Sequence, residues 1–183
     1  MSAEVVVRRV LPTVRILWGA LLASVGMIGF VAYMVPVDPA SANPTLIPVL
    51  AVAAAACAVA SFVIPGIVSA AAMRARRPEI REPEPRAGFT DASAAQGPQG
   101  EFAEPAKAAG QAAAIGMQNL ILCLALSEAV GVCGLLAHVF GARLRIAAIF
   151  FAAAAALMAN RFPTRDSLLG PYERFHKARF HAH

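Results

Sequence analysis

Charged side chains are scarce in this sequence. Asp, Glu, Lys and Arg make up 15% of its 183 residues, whereas hydrophobic residues make up 58%. Soluble domains carry roughly 25% charged and 45–50% apolar residues. The apolar excess is gathered in blocks, and about 20 apolar residues suffice for a helix to cross a bilayer. The composition therefore excludes an ordinary soluble domain and predicts an all-α polytopic membrane protein.

Cysteines and aromatic residues are also few. The three cysteines, Cys57, Cys123 and Cys133, all lie in apolar blocks. Their number and spacing fit neither a disulfide framework nor a zinc site, so we interpret them as packing residues. The formal net charge is +5, but aromatic residues do not alternate with basic ones as they do on nucleic-acid-binding surfaces. We therefore expect no nucleic-acid partner and no metal.

Recognisable catalytic motifs are missing as well. The sequence has no glycine-rich phosphate loop, no HExxH pattern and no paired carboxylates. Ser127 adjoins Glu128, but adjacent helical residues point to different faces and so do not form a nucleophile and its base. His176, His181 and His183 cluster near the C-terminus, and we interpret them as incidental tail residues rather than metal ligands. We expect no enzymatic activity and no cofactor.

The chain contains four apolar blocks. They predict two transmembrane hairpins: residues 1–73, with helices at about 14–35 and 46–72, and residues 115–160, with helices at about 115–140 and 144–160. The small residues "ASA" before Asn43 resemble the cleavage site of a secretory signal. However, the first block is longer than the roughly 7–15 apolar residues of a signal peptide, so we expect an uncleaved helix.

The two remaining segments are polar. Residues 74–114 contain most of the acidic residues and many prolines, which indicates a largely disordered cytoplasmic linker with a short helix at about 102–114. Residues 161–183 form a basic tail with interspersed Phe, Leu and Tyr. That pattern is typical of a cytoplasmic segment that lies on an anionic membrane surface.

The distribution of Lys and Arg predicts the orientation of the spans. Three of these residues precede or begin the first predicted span, six lie in the linker and five in the tail, so 14 of the 16 share one side. The other two are Arg143 and Arg145, between the third and fourth spans. Because positively charged loops stay in the cytoplasm, we predict four spans in a bacterial inner membrane with both termini cytoplasmic.

One acidic residue, Glu128, lies inside a predicted span, in the run LALSEAVGVCGLLAHVFG. Counted from Met117, it is about eleven residues, or roughly 17 Å, into the third helix, near the bilayer centre. A charge there costs about 2.5–3.5 kcal/mol, so we expect Glu128 to face the bundle interior, either protonated or paired. His138 is about 15 Å away along the same helix and cannot pair with it. The surrounding face is small and suited to close helix packing, with Ser127, Ala129, Gly131 and Gly134.

The stretch SEAVGVCG, with its Glu-Ala dipeptide followed by Gly134, resembles the second helix of the proteolipid subunit c of rotary ATP synthases. The second apolar block, with IPGI near its inner end, is loosely similar to the small-residue first helix of that family. The resemblance implies that Glu128 binds a proton or a cation. With a further helix before and after this pair, the whole chain looks like a four-helix bacterial membrane protein that shares the buried acid.

Two functions fit these features. In the first, a non-catalytic membrane component uses Glu128 as a protonatable site for proton or cation handling, within a homo-oligomer or a membrane-protein complex. In the second, the protein is a structural or assembly component in which Glu128 only fixes helix packing, while the linker and the tail recruit partners. The lipid bilayer is the common surrounding in both.

Overall fold

The computed structural model describes residues 3–37, 43, 45–81 and 100–180. These residues are mostly helical, with α1 (Ala3–Met34), α2 (Leu46–Ala75), α3 (Pro105–Val139), α4 (Leu144–Ala159) and α5 (Arg165–His176). They also contain a small sheet of β1 (Ile80–Arg81), β2 (Gly100–Phe102) and β3 (Ala178–Arg179). By length and composition, α1, α2 and α3 could each cross a membrane, whereas α4 is apolar but has 16 residues. The helices indicate a membrane-embedded protein.

The chain divides into two compact units. Unit 1 consists of Met1–Thr13, Val68–Gln118 and Pro163–His183, and unit 2 consists of Val14–Ile67 and Asn119–Phe162. The three long helices each contribute residues to both units. The 35 residues of α3, for example, extend over about 52 Å, well beyond the roughly 30 Å thickness of a hydrocarbon core.

Within unit 2, α1 and α3 run parallel. Ser24 of α1 contacts Glu128 of α3, and Val35, directly after α1, contacts His138 near the end of α3. The two contacts are therefore separated by eleven residues on one chain segment and ten on the other, counted in the same direction. Because the residue numbers increase together on both helices, by nearly the same rise of about 1.5 Å per residue, the arrangement is parallel.

The second helix runs antiparallel to α3. Asn43, ahead of α2, donates its backbone N–H to the Phe140 carbonyl after the end of α3. Further along α2, the Ser61 carbonyl accepts from the Cys123 thiol, which lies near the start of the unit 2 part of α3. Moving forward on α2 therefore means moving backward on α3.

The fourth helix returns alongside α3 in the same antiparallel sense. Gly134 lies against Ala147 and Phe150, and Gly131 lies against Ala154. A side chain at position 134 would approach the Phe150 Cβ to 2.6 Å and the Ala147 carbonyl oxygen to 3.2 Å. Gly134 therefore lies where α3 and α4 approach closely, and small residues are enriched at such contacts in membrane bundles.

The turn between α3 and α4 depends on Gly141, which has φ = 91°. The Ala142 N–H donates to the Ala137 carbonyl, and the Gly141 N–H donates to the His138 carbonyl. This is the pair of bonds that ends a helix in a Schellman motif, with glycine in the left-handed position. The chain can therefore reverse direction within a few residues.

Unit 1 has a hydrophobic core of its own. The core joins the beginning of α1, the end of α2, the beginning of α3, the sheet and α5; its buried residues are Ala3, Val7, Met73, Phe102, Ala108, Ala109, Ala112, Ile115, Leu169, Tyr172, Ala178 and Phe180. The Phe102 ring stacks on Phe180 at 4.5 Å between centroids. Glycine at position 116 allows the Leu168 backbone to come within 3.0 Å of where a Cβ would stand.

The sheet and α5 are tied together by polar contacts within unit 1. β1 pairs antiparallel with β2, and β2 pairs parallel with β3, so that Glu101 lies between Arg81 and Arg179 on neighbouring strands. Opposite charges in facing positions stabilise such short pairings. α5 begins with a capping box between Thr164 and Ser167, whose side chains each bond to the other's backbone.

Both polar segments of the sequence contribute to unit 1. In the expected linker, the described residues form the end of α2, β1, β2 and the first ten residues of α3, and residues 82–99 lie outside the described part. α3 begins at Pro105 rather than near 115, and its early alanines are buried in the unit 1 core. In the tail, Leu168, Leu169 and Tyr172 of α5 are buried within the protein.

Candidate functional site

Glu128 lies on α3 near the middle of the bundle of unit 2. It is nine residues from the start of the unit 2 part of α3 at Asn119 and eleven from the end of the helix at Val139, or about 14 Å and 17 Å. Its side chain is half-buried and faces α1. A carboxyl group at this depth is remote from both ends of the bundle.

The side chain that contacts Glu128 is Ser24 of α1. The distance between the Ser24 Oγ and the Glu128 Oε1 is 2.5 Å, and the same Oγ lies 2.9 Å from the Leu21 carbonyl oxygen, one turn back in α1. A serine hydroxyl has one proton to donate but can also accept. It therefore donates either to the carboxyl or to the Leu21 carbonyl, but not to both at once.

These two options correspond to two states of the carboxyl group. An ionised Glu128 accepts a hydrogen bond from the Ser24 hydroxyl, which leaves the Leu21 carbonyl without its bond from Ser24. A protonated Glu128 can donate to the Ser24 Oγ while Ser24 donates to Leu21, so that a continuous chain of two hydrogen bonds forms. A separation of 2.5 Å is at the short end of the range for O–H···O bonds and suits either direction of donation.

Positive charge does not compensate Glu128 in the described part of the chain. Lys107 pairs with Glu104 and Arg165 pairs with Asp166, and both of these ion pairs lie in unit 1. A carboxylate without a cation partner is costly in a medium of low polarity, whereas a protonated carboxyl needs only ordinary hydrogen bonds.

The four residues predicted to surround Glu128 have different positions. Ser127 is buried and donates back to the Cys123 carbonyl at 2.8 Å, and Ala129 is half-buried. A Cβ at Gly131 would lie 3.6 Å from Ala154 and 3.7 Å from Val25, next to Ser24. Gly134 contacts α4. The residues therefore pack the neighbouring faces of α3, but the contact with the carboxyl itself comes from α1.

His138 lies at the same helix interface, closer to its end. It is 7% exposed, with Nδ1 3.2 Å from the Ala142 carbonyl oxygen and Nε2 3.1 Å from the Val35 carbonyl oxygen. A neutral imidazole donates through one nitrogen and an imidazolium through both. Both ring nitrogens face carbonyl oxygens, so a neutral ring donates to one of them at a time, and its place between the residue after α1 and the turn after α3 keeps it away from Glu128.

A second polar cluster lies in unit 1 around His176, between the rings of Tyr172 and Phe175 at centroid distances of 4.5 Å and 5.0 Å. The buried Nε2 of His176 has no hydrogen-bond partner among the described residues, and burial lowers the pKa of this imidazole. Burial likewise raises the pKa of Tyr172, an effect partly offset by Arg76, and its hydroxyl donates to the Gln111 side chain at 2.9 Å.

His181 and His183 lie outside the described residues. Within residues 3–37, 43, 45–81 and 100–180, no three His, Cys, Asp or Glu side chains come together in a group that could hold a metal ion. Cys123 donates to the Ser61 carbonyl at 3.5 Å, and the three cysteines are free thiols.

No family model, curated protein or solved structure matches the chain.

Ser24 is the site residue that the sequence analysis does not predict. Its one signal in the sequence is a lone hydroxyl in the apolar run LLASVGM, whereas the sequence analysis expects Glu128 to be protonated or paired and names no partner for it on another helix.

Proposed function

We propose that the chain is a non-catalytic protein of the bacterial inner membrane, with four spans and cytoplasmic termini. The antiparallel course of α4 alongside α3 supports a fourth crossing, since contacts from Ala147 to Met158 run back along the bundle as far as Trp18 of α1. The 16 residues of α4 extend over about 24 Å, and flanking residues can supply the remainder of a crossing. The bias of Lys and Arg supports the orientation.

Within this protein, Glu128 acts as a protonatable site for proton or cation handling. The observation that carries the proposal is the hydroxyl of Ser24 between two acceptors, the Glu128 carboxyl and the Leu21 carbonyl. Adding or removing one proton exchanges one hydrogen-bonded arrangement for another without moving the helices. Glu128 is half-buried rather than fully enclosed, and exchange of a proton or cation requires such exposure.

The alternative is a structural or assembly protein in which Glu128 fixes helix packing, and the linker and tail recruit partners. The Ser24–Glu128 bond favours it, because a hydrogen bond between α1 and α3 holds a bundle together whether or not the proton ever leaves. Such interhelical bonds contribute about 0.6–2 kcal/mol in membranes. The two functions differ in one respect, which is exchange of the proton.

Labelling with dicyclohexylcarbodiimide tests the proposal, because this reagent modifies protonated carboxyls in apolar surroundings. We expect wild-type protein in liposomes to be labelled at Glu128, and Glu128→Gln to lose that label. Glu104→Gln is the matched control, since Glu104 is exposed in unit 1 and pairs with Lys107. Proton flux in proteoliposomes is measured for the same three proteins.

Ion handling predicts labelling at Glu128 together with a flux that falls in Glu128→Gln and stays unchanged in Glu104→Gln. Labelling without a change in flux favours the packing function. Absence of both labelling and a flux change rejects the proton site.

A further inference from the structure

The two oxygen atoms that meet at the Glu128 site are too close to share a metal ion. The Ser24 Oγ and the Glu128 Oε1 lie 2.5 Å apart and belong to different helices, α1 and α3. Neighbouring oxygen ligands of one ion lie about 2.9 Å apart for Mg²⁺ and roughly 3 Å or more for Ca²⁺, given their bond lengths. Na⁺ is close to Ca²⁺ in size, and K⁺ is larger. A metal ion held by both oxygens would have to push them apart, whereas a bridging proton fits the distance found.

The oxygen atoms gathered at the site are also few. Ser24 is the hydrogen-bond partner that the described residues provide for Glu128, and the same hydroxyl lies 2.9 Å from the Leu21 carbonyl oxygen. The carboxyl group, the hydroxyl and this carbonyl together offer four oxygen atoms. Mg²⁺ and Ca²⁺ take roughly six to eight oxygen ligands, so the remainder of a coordination shell would have to come from water.

Both helices are continuous through the site. α1 (Ala3–Met34) and α3 (Pro105–Val139) are each a single uninterrupted helix. Their backbone carbonyls near Ser24 and Glu128 are therefore engaged in the hydrogen bonds of the helix. Cation sites of membrane transporters typically take ligands from unwound helices, whose carbonyls are free to coordinate an ion. α1 and α3 do not offer that source of ligands.

The side chains next to the contact are apolar. Leu124 lies one turn before Glu128 on α3, Val25 adjoins Ser24 on α1, and both are buried in one hydrophobic cluster. Water that completed the shell of a cation would leave hydrogen bonds unmade in such surroundings, which is costly. We propose that Glu128 binds a proton and excludes metal cations, an inference that rests on the proton or cation handling proposed above.

The test is a competition between metal cations and dicyclohexylcarbodiimide for the Glu128 carboxyl. Wild-type protein in phosphatidylcholine liposomes is labelled at constant pH in choline chloride, or in sodium, potassium, magnesium or calcium chloride at the same ionic strength. A metal ion bound at the carboxyl holds it ionised and protects it from the reagent. Mass spectrometry of the peptide that contains Glu128 measures the rate, Glu128→Gln gives the background, and Glu104→Gln is the matched control that retains the label.

We expect the same labelling rate in every salt. A cation present at its dissociation constant would already halve the rate, so slowing by more than about twofold in any of the metal chlorides overturns the proposal. Proton flux in proteoliposomes provides a second measurement. It should be unchanged when choline replaces sodium on both sides of the membrane.

The outcomes separate this inference from the function on which it rests. Labelling in choline chloride that a metal chloride suppresses leaves the protonatable site in place but overturns its selectivity for protons. A proton flux that disappears without sodium has the same consequence. Absence of labelling in every salt, together with absence of proton flux, rejects the proposed function and this inference with it.

Discussion

The two units of this molecule are stabilised in different ways. Unit 1 buries large side chains, among them Tyr172 and Leu169, and combines helix ends with a small sheet. Unit 2 keeps many of its large apolar side chains outside, such as Ile16 and Val52, at 72% and 70% exposed, and fills helix contacts with Gly and Ala. In lipid, apolar exposure carries no penalty and association depends on close packing and hydrogen bonds.

This difference explains why a single carboxyl matters in one unit and not in the other. Unit 1 contains several exposed acidic residues, which water can solvate. In unit 2 the carboxyl of Glu128 has Ser24 as its hydrogen-bond partner and packs among apolar residues. The same chemical group is therefore a surface feature in unit 1 and a candidate functional site in unit 2.

Truncating a core residue of unit 1 should have the largest effect. Leu169→Ala removes a side chain that is 1% exposed, so we expect a loss of about 2–5 kcal/mol in the free energy of unfolding of that unit. Hydrogen exchange followed by mass spectrometry measures the loss of protection separately for peptides of each unit. Leu144→Ala, at a side chain that is 37% exposed, is the control. An equal loss of protection in both units would contradict their separate stabilisation.

A substitution that fills the close contact between α3 and α4 should have the second largest effect on stability. Gly134→Ala places a methyl group 2.6 Å from the Phe150 Cβ, and we expect a destabilisation of about 1–3 kcal/mol because α3 and α4 must separate. Gly26→Ala is the matched control, since nothing lies within 4 Å of its added Cβ. Thermal unfolding in detergent compares the two, and indistinguishable midpoints would argue against tight packing at Gly134.

Removing the hydroxyl that contacts the carboxyl should cost less. Ser24→Ala takes away one interhelical hydrogen bond, with an expected loss of about 1 kcal/mol in the bundle. Ser61→Ala serves as control, because that hydroxyl donates within its own helix to the Ala58 carbonyl. A Ser24 variant as stable as the Ser61 variant would show that the α1–α3 bond contributes nothing measurable.

The smallest expected effect is a pH dependence confined to unit 1. Burial lowers the pKa of His176 in the folded protein below its unfolded value of about 6.5, so the unfolded chain binds more protons in that range. The stability of unit 1 is therefore full above that value and falls as the pH drops toward the folded pKa. Hydrogen exchange at pH 7.5 and 5.5 measures it.

His176→Phe is the variant for this prediction, because an aromatic ring fits between Tyr172 and Phe175 but does not titrate. The loss of protection at low pH should disappear in it. A pH response that persists unchanged in the variant would assign the effect to other groups.

The sequence predicts the helices of unit 2 better than those of unit 1, for a physical reason. Apolar blocks identify α1 to α4 because membrane segments need length and hydropathy alone. The strands of unit 1 have only two or three residues, too few to show an alternation of apolar and polar residues in the sequence. The apolar side chains of α5 are predicted to face the membrane, because the residues they pack against come from helix ends that are distant in sequence.

The candidate site shows the same division. Glu128 stands out as a lone acid in an apolar run, so composition is enough to find it. Ser24 lies 104 residues away, and serine is common in membrane helices, so no spacing rule connects the two before the helices are packed. Register between helices is a property of the folded bundle, which a single sequence does not encode in any local pattern.

Infrared spectroscopy of the Glu128 carboxyl tests the central claim most directly. We predict a C=O stretching band of a protonated carboxyl in wild-type protein in liposomes, absent from Glu128→Gln and present in Glu104→Gln. Transfer to D₂O should shift that band as the proton exchanges. A wild-type spectrum without the band, or a band that does not shift in D₂O, would contradict a protonatable site at Glu128.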